Sequence, residues 1–182
     1  MKYFITALFF LFASNSFSQN KDQQDTSKPI EIITIINVDS TSMDEIYNRS
    51  LLWISDNFKD SKSAIRVSDK IAGLINGHAH YIMEFKPNQN NSNVRLNAFT
   101  FKWKIEVKDN KSRFSIYDIL YLWNDPLYIY PLTEVVKCPY YGLKGKTKMN
   151  EEWALLKEQF KDKMNELMVN YKLAINKSRD NW

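Results

Sequence analysis

Phe99-Thr100-Phe101-Lys102-Trp103-Lys104-Ile105-Glu106-Val107-Lys108 is the stretch that decides the fold. Large apolar side chains alternate with polar ones along its whole length, which is the two-residue repeat of a strand with one buried and one wet face. Five large side chains entering a core would contribute on the order of 10 kcal/mol of burial, most of it offset by chain entropy. Asp109-Asn110-Lys111 follows as turn chemistry, and Arg113 to Tyr121 then reads as an antiparallel return strand of similar length.

Upstream, Ala64 to Ser68 and Ile71 to Phe85 are strand-like runs broken by Asp69-Lys70, Gly73 and Gly77, where bulges or a hairpin bend are expected. Pro87 to Asn93 reads as a loop. Ile30 to Val38 is almost continuously β-branched, the pattern of a strand covered on both faces. Between these lies a helix that starts at a Ser42/Glu45 capping box. Tyr47, Leu51, Ile54 and Phe58, widened by Trp53, form its apolar stripe, while Asn48, Arg49, Ser55 and Asp56 form its water-facing side.

Downstream, Trp123 to Gly145 is interrupted by Pro126, Pro131, Pro139, Gly142 and Gly145, and reads as a long connection with a short strand near Leu127 to Tyr130. Asn150 is the expected cap of a final helix whose stripe is Trp153, Leu156, Phe160, Met164, Leu167, Tyr171 and Ala174. Its acids fall at the start (Glu151, Glu152) and its bases at the end (Lys172, Lys177, Arg179), in the sense the helix dipole favours. The order β-α-β-β-β-β-α predicts an α+β domain over 30–178, a single antiparallel sheet with both helices on its one apolar face.

The first 18 residues predict an address. Met1-Lys2 is positive, Tyr3 to Phe12 is apolar but short of the roughly 20 residues a membrane helix needs, and Ser16 and Ser18 are the small residues before a signal-peptidase cut after Ser18. Residues 19–29 then read as a polar, disordered leader. The expected product is periplasmic or secreted, with no membrane span after cleavage. With 182 residues, 44% hydrophobic and a net charge of +4, the chain is long and apolar enough for a packed core. Export makes that basic balance weak support for nucleic-acid binding, and no nucleic-acid partner is expected.

The chain resembles the exported bacterial proteins called domain of unknown function 4468, described as having a TBP-like fold. Asp44-Glu45-Ile46-Tyr47 with Trp53 and Phe58 carry the likeness, followed by Asp69-Lys70-Ile71-Ala72-Gly73 and Gly77. Ile105-Glu106-Val107-Lys108-Asp109, Arg113, Phe114 and Tyr117-Asp118 complete it, over about residues 30 to 121. Asn110-Lys111-Ser112 stand where a glycine or an aromatic is expected in the turn. The resemblance implies the fold and export; it implies neither an activity nor DNA binding, because sites are grafted onto folds independently.

Chemistry-bearing residues are few. His78, His80 and Glu84 share one side of a strand and are the candidate metal or acid–base set. The lone cysteine, Cys138, lies in a Pro- and Tyr-rich connection and reads as a small apolar residue. Four glycines leave no phosphate-cradling loop, and no nucleophile elbow is present. Lys137, Lys144, Lys146 and Lys148 beside Tyr140 and Tyr141 could meet an anionic surface. Trp123, Tyr128, Tyr130 and Tyr140 are candidates for an aromatic binding groove between sheet and last helix. The reading is a non-catalytic binding domain of the cell envelope without a cofactor, its partner an envelope ligand or protein. The alternatives are a metal-dependent or hydrolytic enzyme on the His78/His80/Glu84 face, and an assembly partner acting through a sheet edge.

Overall fold

The alternation of residues 99–108 is realised in full. In a computed structural model, which describes residues 28–58, 61–86, 94–122, 129–134 and 146–177, this stretch is the C-terminal part of a 14-residue strand, Arg95–Lys108. Phe99, Phe101, Trp103, Ile105 and Val107 are all buried, whereas Lys102 and Lys108 are exposed. In chain order the elements are β1 (Ile32–Asn37), α1 (Met43–Asn57), a single-turn α2 (Ser61–Ala64), β2 (Ile65–Asp69), β3 (Leu74–Phe85), β4 (Arg95–Lys108), β5 (Lys111–Leu122), β6 (Ile129–Pro131) and α3 (Lys146–Asn176). The strands form one antiparallel sheet in the order β1-β5-β4-β3-β2, with the short β6 also paired to β5. Both long helices pack on the face that carries Trp103, as the α+β, TBP-like expectation requires.

The β4–β5 turn is a structural hub. Asn110, in the turn where a glycine or an aromatic was expected, takes the left-handed conformation (φ 61°), which asparagine tolerates. Its side-chain Oδ1 accepts the Thr41 N–H at 3.0 Å, and its backbone N–H and C=O bond Thr41 and Val38. Next to it, Asp109 Oδ1 accepts the free Met43 N–H at 2.7 Å. The start of α1 is therefore capped twice, by Asp109 from the hairpin and by Ser42, whose hydroxyl accepts the Glu45 N–H. Only half of the expected capping box forms: the Glu45 carboxylate turns away from Ser42 to Arg49.

Arg49 corrects a second expectation. It lies on the side of α1 assigned to water, yet its side chain is only 15% exposed. It spans the layer, joining Glu45 to the carbonyl of Ile175 near the end of α3. A third correction is the start of α3: the helix begins at Lys146, so Asn150 lies inside it rather than capping it, and neither an acid in the first turn nor a base in the last meets the dipole. At 31 residues α3 is about 46 Å long and packs against strands from β3 to β1. Its predicted stripe is buried or half-buried, and Met168 and Ile175 extend it.

β1 is the largest departure. Instead of being covered on both faces it is the rim strand, with Ile33 51% and Ile35 60% exposed on the side away from the helices. Just before it, the polar leader is already engaged: Pro29 bridges Thr133, and the Glu134 N–H donates to the Lys28 carbonyl. Two glycines answer to local geometry. Gly73 closes the β2–β3 turn at φ 63°, where a Cβ would meet the Val107 carbonyl. Gly77 lets the Ala64 carbonyl and the Trp103 ring approach its backbone, beside the register shift in β2.

Candidate functional site

The expected aromatic groove falls mostly outside the described residues: Trp123, Tyr128 and Tyr140 do, as do Tyr141, Cys138, Lys137 and Lys144. Tyr130 is described. It lies on β6 opposite Tyr121 and packs half-buried against the core. Lys146 and Lys148 belong to the first turn of α3.

The helix-covered side contains a buried polar node. The Tyr171 hydroxyl lies 2.8 Å from Ser50 Oγ and 2.6 Å from Ser112 Oγ, and all three residues are buried. Ser50 Oγ is also 2.7 Å from the Ile46 carbonyl, which can only accept. One hydrogen per hydroxyl then fixes a direction. Ser50 donates to Ile46, Tyr171 donates to Ser50, and Ser112 donates to Tyr171. Burial pushes the Tyr171 hydroxyl up to about 12, against the opposing pull of these two serines. Lys157, on the same face of α3, donates to the Thr133 carbonyl, and burial pulls its ammonium below the ordinary lysine value.

The opposite face of the sheet carries the candidate metal set. His78, His80 and Glu84 all point outward from β3, as their spacing required. The Nε–H of Arg66 donates to His78 Nδ1 at 2.9 Å, so this imidazole nitrogen is already taken by a cation from β2. Among the described residues no group of three His, Cys, Asp or Glu side chains is close enough to hold a metal ion.

On the same face, charge is neutralised locally. Lys102 Nζ meets Asp118 Oδ2 at 2.8 Å, and this hydrogen bond raises the lysine above its ordinary value. Asp118 sits in the left-handed region (φ 49°) at a bulge, where β5 inserts one extra residue against Thr100–Lys102. Glu106 receives Arg113 at 2.7 Å and Lys104 at 3.2 Å; partial burial works to raise its carboxyl, but the hydrogen bonds from Arg113 and Lys104 prevail and lower it.

Beyond the bulge the outward face turns apolar. Register places Ile82 opposite Ala98, Ala98 opposite Leu122, and Leu122 opposite Ile129, a row running straight across β3, β4, β5 and β6. Three interstrand steps make it about 14 Å wide. Leu96, 69% exposed, extends it along β4, and Ile82 and Ile129 are 59% and 51% exposed. Sequence reasoning missed this row. The signal was there in β4, whose polar phase (Lys108, Glu106, Lys104, Lys102, Thr100) becomes apolar at Ala98 and Leu96.

No helix among the described residues is long and apolar enough to cross a membrane. No curated protein matches the chain. Among solved structures it is similar to a DUF4468 family protein from Bacteroides ovatus ATCC 8483, with 15% identity, a TM-score of 0.64, and 85% of this chain and 90% of that one covered. It is also similar to a TBP-like protein from Parabacteroides distasonis ATCC 8503, with 16% identity, a TM-score of 0.54, and 79% and 93% covered. At these identities the likeness concerns the fold. Residues 33–122, which run from β1 to the end of β5, match the family described as a domain of unknown function (DUF4468) with TBP-like fold, and through them the chain belongs to that family.

Proposed function

We propose that the chain is an exported, non-catalytic binding domain of the cell envelope, and that it docks a protein partner on the bare face of its sheet. The observation that carries this reading is the row Ile82, Ala98, Leu122 and Ile129 with Leu96 beside it. Scattered exposed apolar residues are ordinary on a protein surface, but a continuous band across four strands is the pattern of an interaction site. The chemistry of the face favours an apolar protein surface over an anionic lipid or glycan, because the cations nearest the row, Lys102, Lys104 and Arg113, are already paired to Asp118 and Glu106. The N-terminal pattern of a positive start, an apolar run and small residues at Ser16 and Ser18 supports export.

Photo-cross-linking tests the reading. A photoreactive residue is placed at Ile82 or Leu96, and for comparison at Ile71 or Leu173, which are 94% and 65% exposed away from the row. In envelope preparations the face positions are expected to give one discrete protein adduct, lost when the unlabelled residue of the pair becomes lysine. Equal labelling from Ile71 and Leu173, or none from the face, refutes it. Fractionation checks export: the mature chain should begin at Gln19 and leave the cytosol.

A further inference from the structure

The two rims of the sheet are not alike. β2 is a defended edge: it is five residues long, its register with β3 slips between Ile65 and Val67, and it carries Arg66 and Asp69. Short length, a bulge and charge are the devices that keep a strand edge from pairing with another chain. β1 is only one residue longer, but it lacks both the bulge and the charge. Its six residues, Ile32-Ile33-Thr34-Ile35-Ile36-Asn37, contain no charge and no proline, and they keep unbroken register with β5 from Ile32↔Ile116 to Asn37↔Lys111. Among the described strands β5 is its only partner, so the other side of β1 presents a row of backbone donors and acceptors.

We propose that β1 pairs antiparallel with β1 of a second copy of this chain, about a two-fold axis at Thr34. The sequence is self-complementary in that register. Thr34 meets Thr34, Ile33 meets Ile35 on the bare face, and Ile32 meets Ile36 on the helix-covered face. Glu31 meets Asn37, so no like charges oppose. Facing Thr and Ile pairs are favourable cross-strand neighbours. The pairing also gives new neighbours to Ile32, which is only half-buried at the rim of the core, and to Ile33 and Ile35, which are more than half exposed. It joins two sheets into one and leaves the Ile82–Ile129 row free on each copy. The inference therefore stands apart from the proposed docking face.

Light scattering during gel filtration, from low micromolar to near millimolar protein, reads the association. A concentration-dependent dimer is expected, and Ile35→Lys should abolish it; because Ile35 is 60% exposed, that variant should keep the wild-type unfolding curve. Cysteine cross-linking in a Cys138→Ser background reads the register. Directly opposed residues have Cα atoms about 4.5–5.5 Å apart, which a disulfide spans. Thr34→Cys should cross-link to itself on mild oxidation. Ile33→Cys, whose own copy lies diagonally at about 7–8 Å, should cross-link poorly. A monomer at every concentration overturns the proposal. So does a dimer that survives Ile35→Lys, or one in which Thr34→Cys fails to cross-link.

Discussion

Replacing Tyr171 with phenylalanine separates the buried hydroxyl chain from the packing around it. The ring keeps its edge contacts with Trp53 and Phe114, at centroid distances of 4.9 and 5.2 Å, so the substitution removes the hydroxyl alone. Ser50 retains its bond to Ile46, but the buried Ser112 hydroxyl loses its acceptor. One orphaned buried donor costs about 1–3 kcal/mol, the loss expected in urea unfolding at neutral pH. Alkaline pH adds a sharper signature. The folded chain holds the Tyr171 proton up to about pH 12, while the unfolded chain releases it near the ordinary value of 10. Between those values the unfolded state binds fewer protons, so stability falls as pH rises, by roughly 1.4 kcal/mol per unit. This contribution is complete below pH 10 and shrinks above it. Phenylalanine has no proton to lose. The gap between wild type and variant should therefore narrow by about 2 kcal/mol between pH 9 and 11.5, the other tyrosines being common to both. A gap that stays constant over that range would show that the hydroxyl ionises freely, and would refute the buried chain.

Gly77→Ala should cost more than about 2 kcal/mol in the same assay, because the added methyl meets the Ala64 carbonyl and the ring of the fully buried Trp103. Loss below half a kcal/mol would mean that β2 and β3 do not approach as described. Asp109→Ala should lower stability by about 1 kcal/mol by freeing the Met43 N–H at the start of α1, and Asp109→Asn should recover part of it. On the bare face, the pair Ile82→Lys with Leu96→Lys should shift unfolding by less than about 1 kcal/mol while abolishing the cross-linked adduct. A variant that unfolds would place these residues in the core.

The layers were legible because two periods were strong. The ten residues from Phe99 could alternate only as a half-buried strand, and the stripes through Tyr47–Phe58 and Trp153–Ala174 could seal only one side of it. What failed had physical reasons. A run such as Ile32–Ile36 reads the same whether a second layer or a rim lies beside it, so the edge position of β1 was hidden in the sheet order. Arg49 looked like a surface residue because its partner, the Ile175 carbonyl, is 126 residues away. Lys146 and Lys148 carry no apolar period, so the first turn of α3 could not be told from the preceding connection. For the site, the spacing of His78, His80 and Glu84 correctly gave a shared outward face, but Arg66 comes from the neighbouring strand. The apolar row was hidden for the same reason beyond the change of phase at Ala98 and Leu96: Ile82, Leu122 and Ile129 are dispersed in sequence and meet Ala98 only through register.

Among the described residues the sheet is sealed by helices on one side and bare on the other, and methyl NMR with a soluble paramagnetic agent measures this directly. The isoleucine methyls of Ile82 and Ile129 should broaden strongly, while those of Ile46, Ile54, Ile75, Ile105 and Ile116, all fully buried, should be untouched. Protection of Ile82 and Ile129, or broadening of Ile75 and Ile105, would contradict the account.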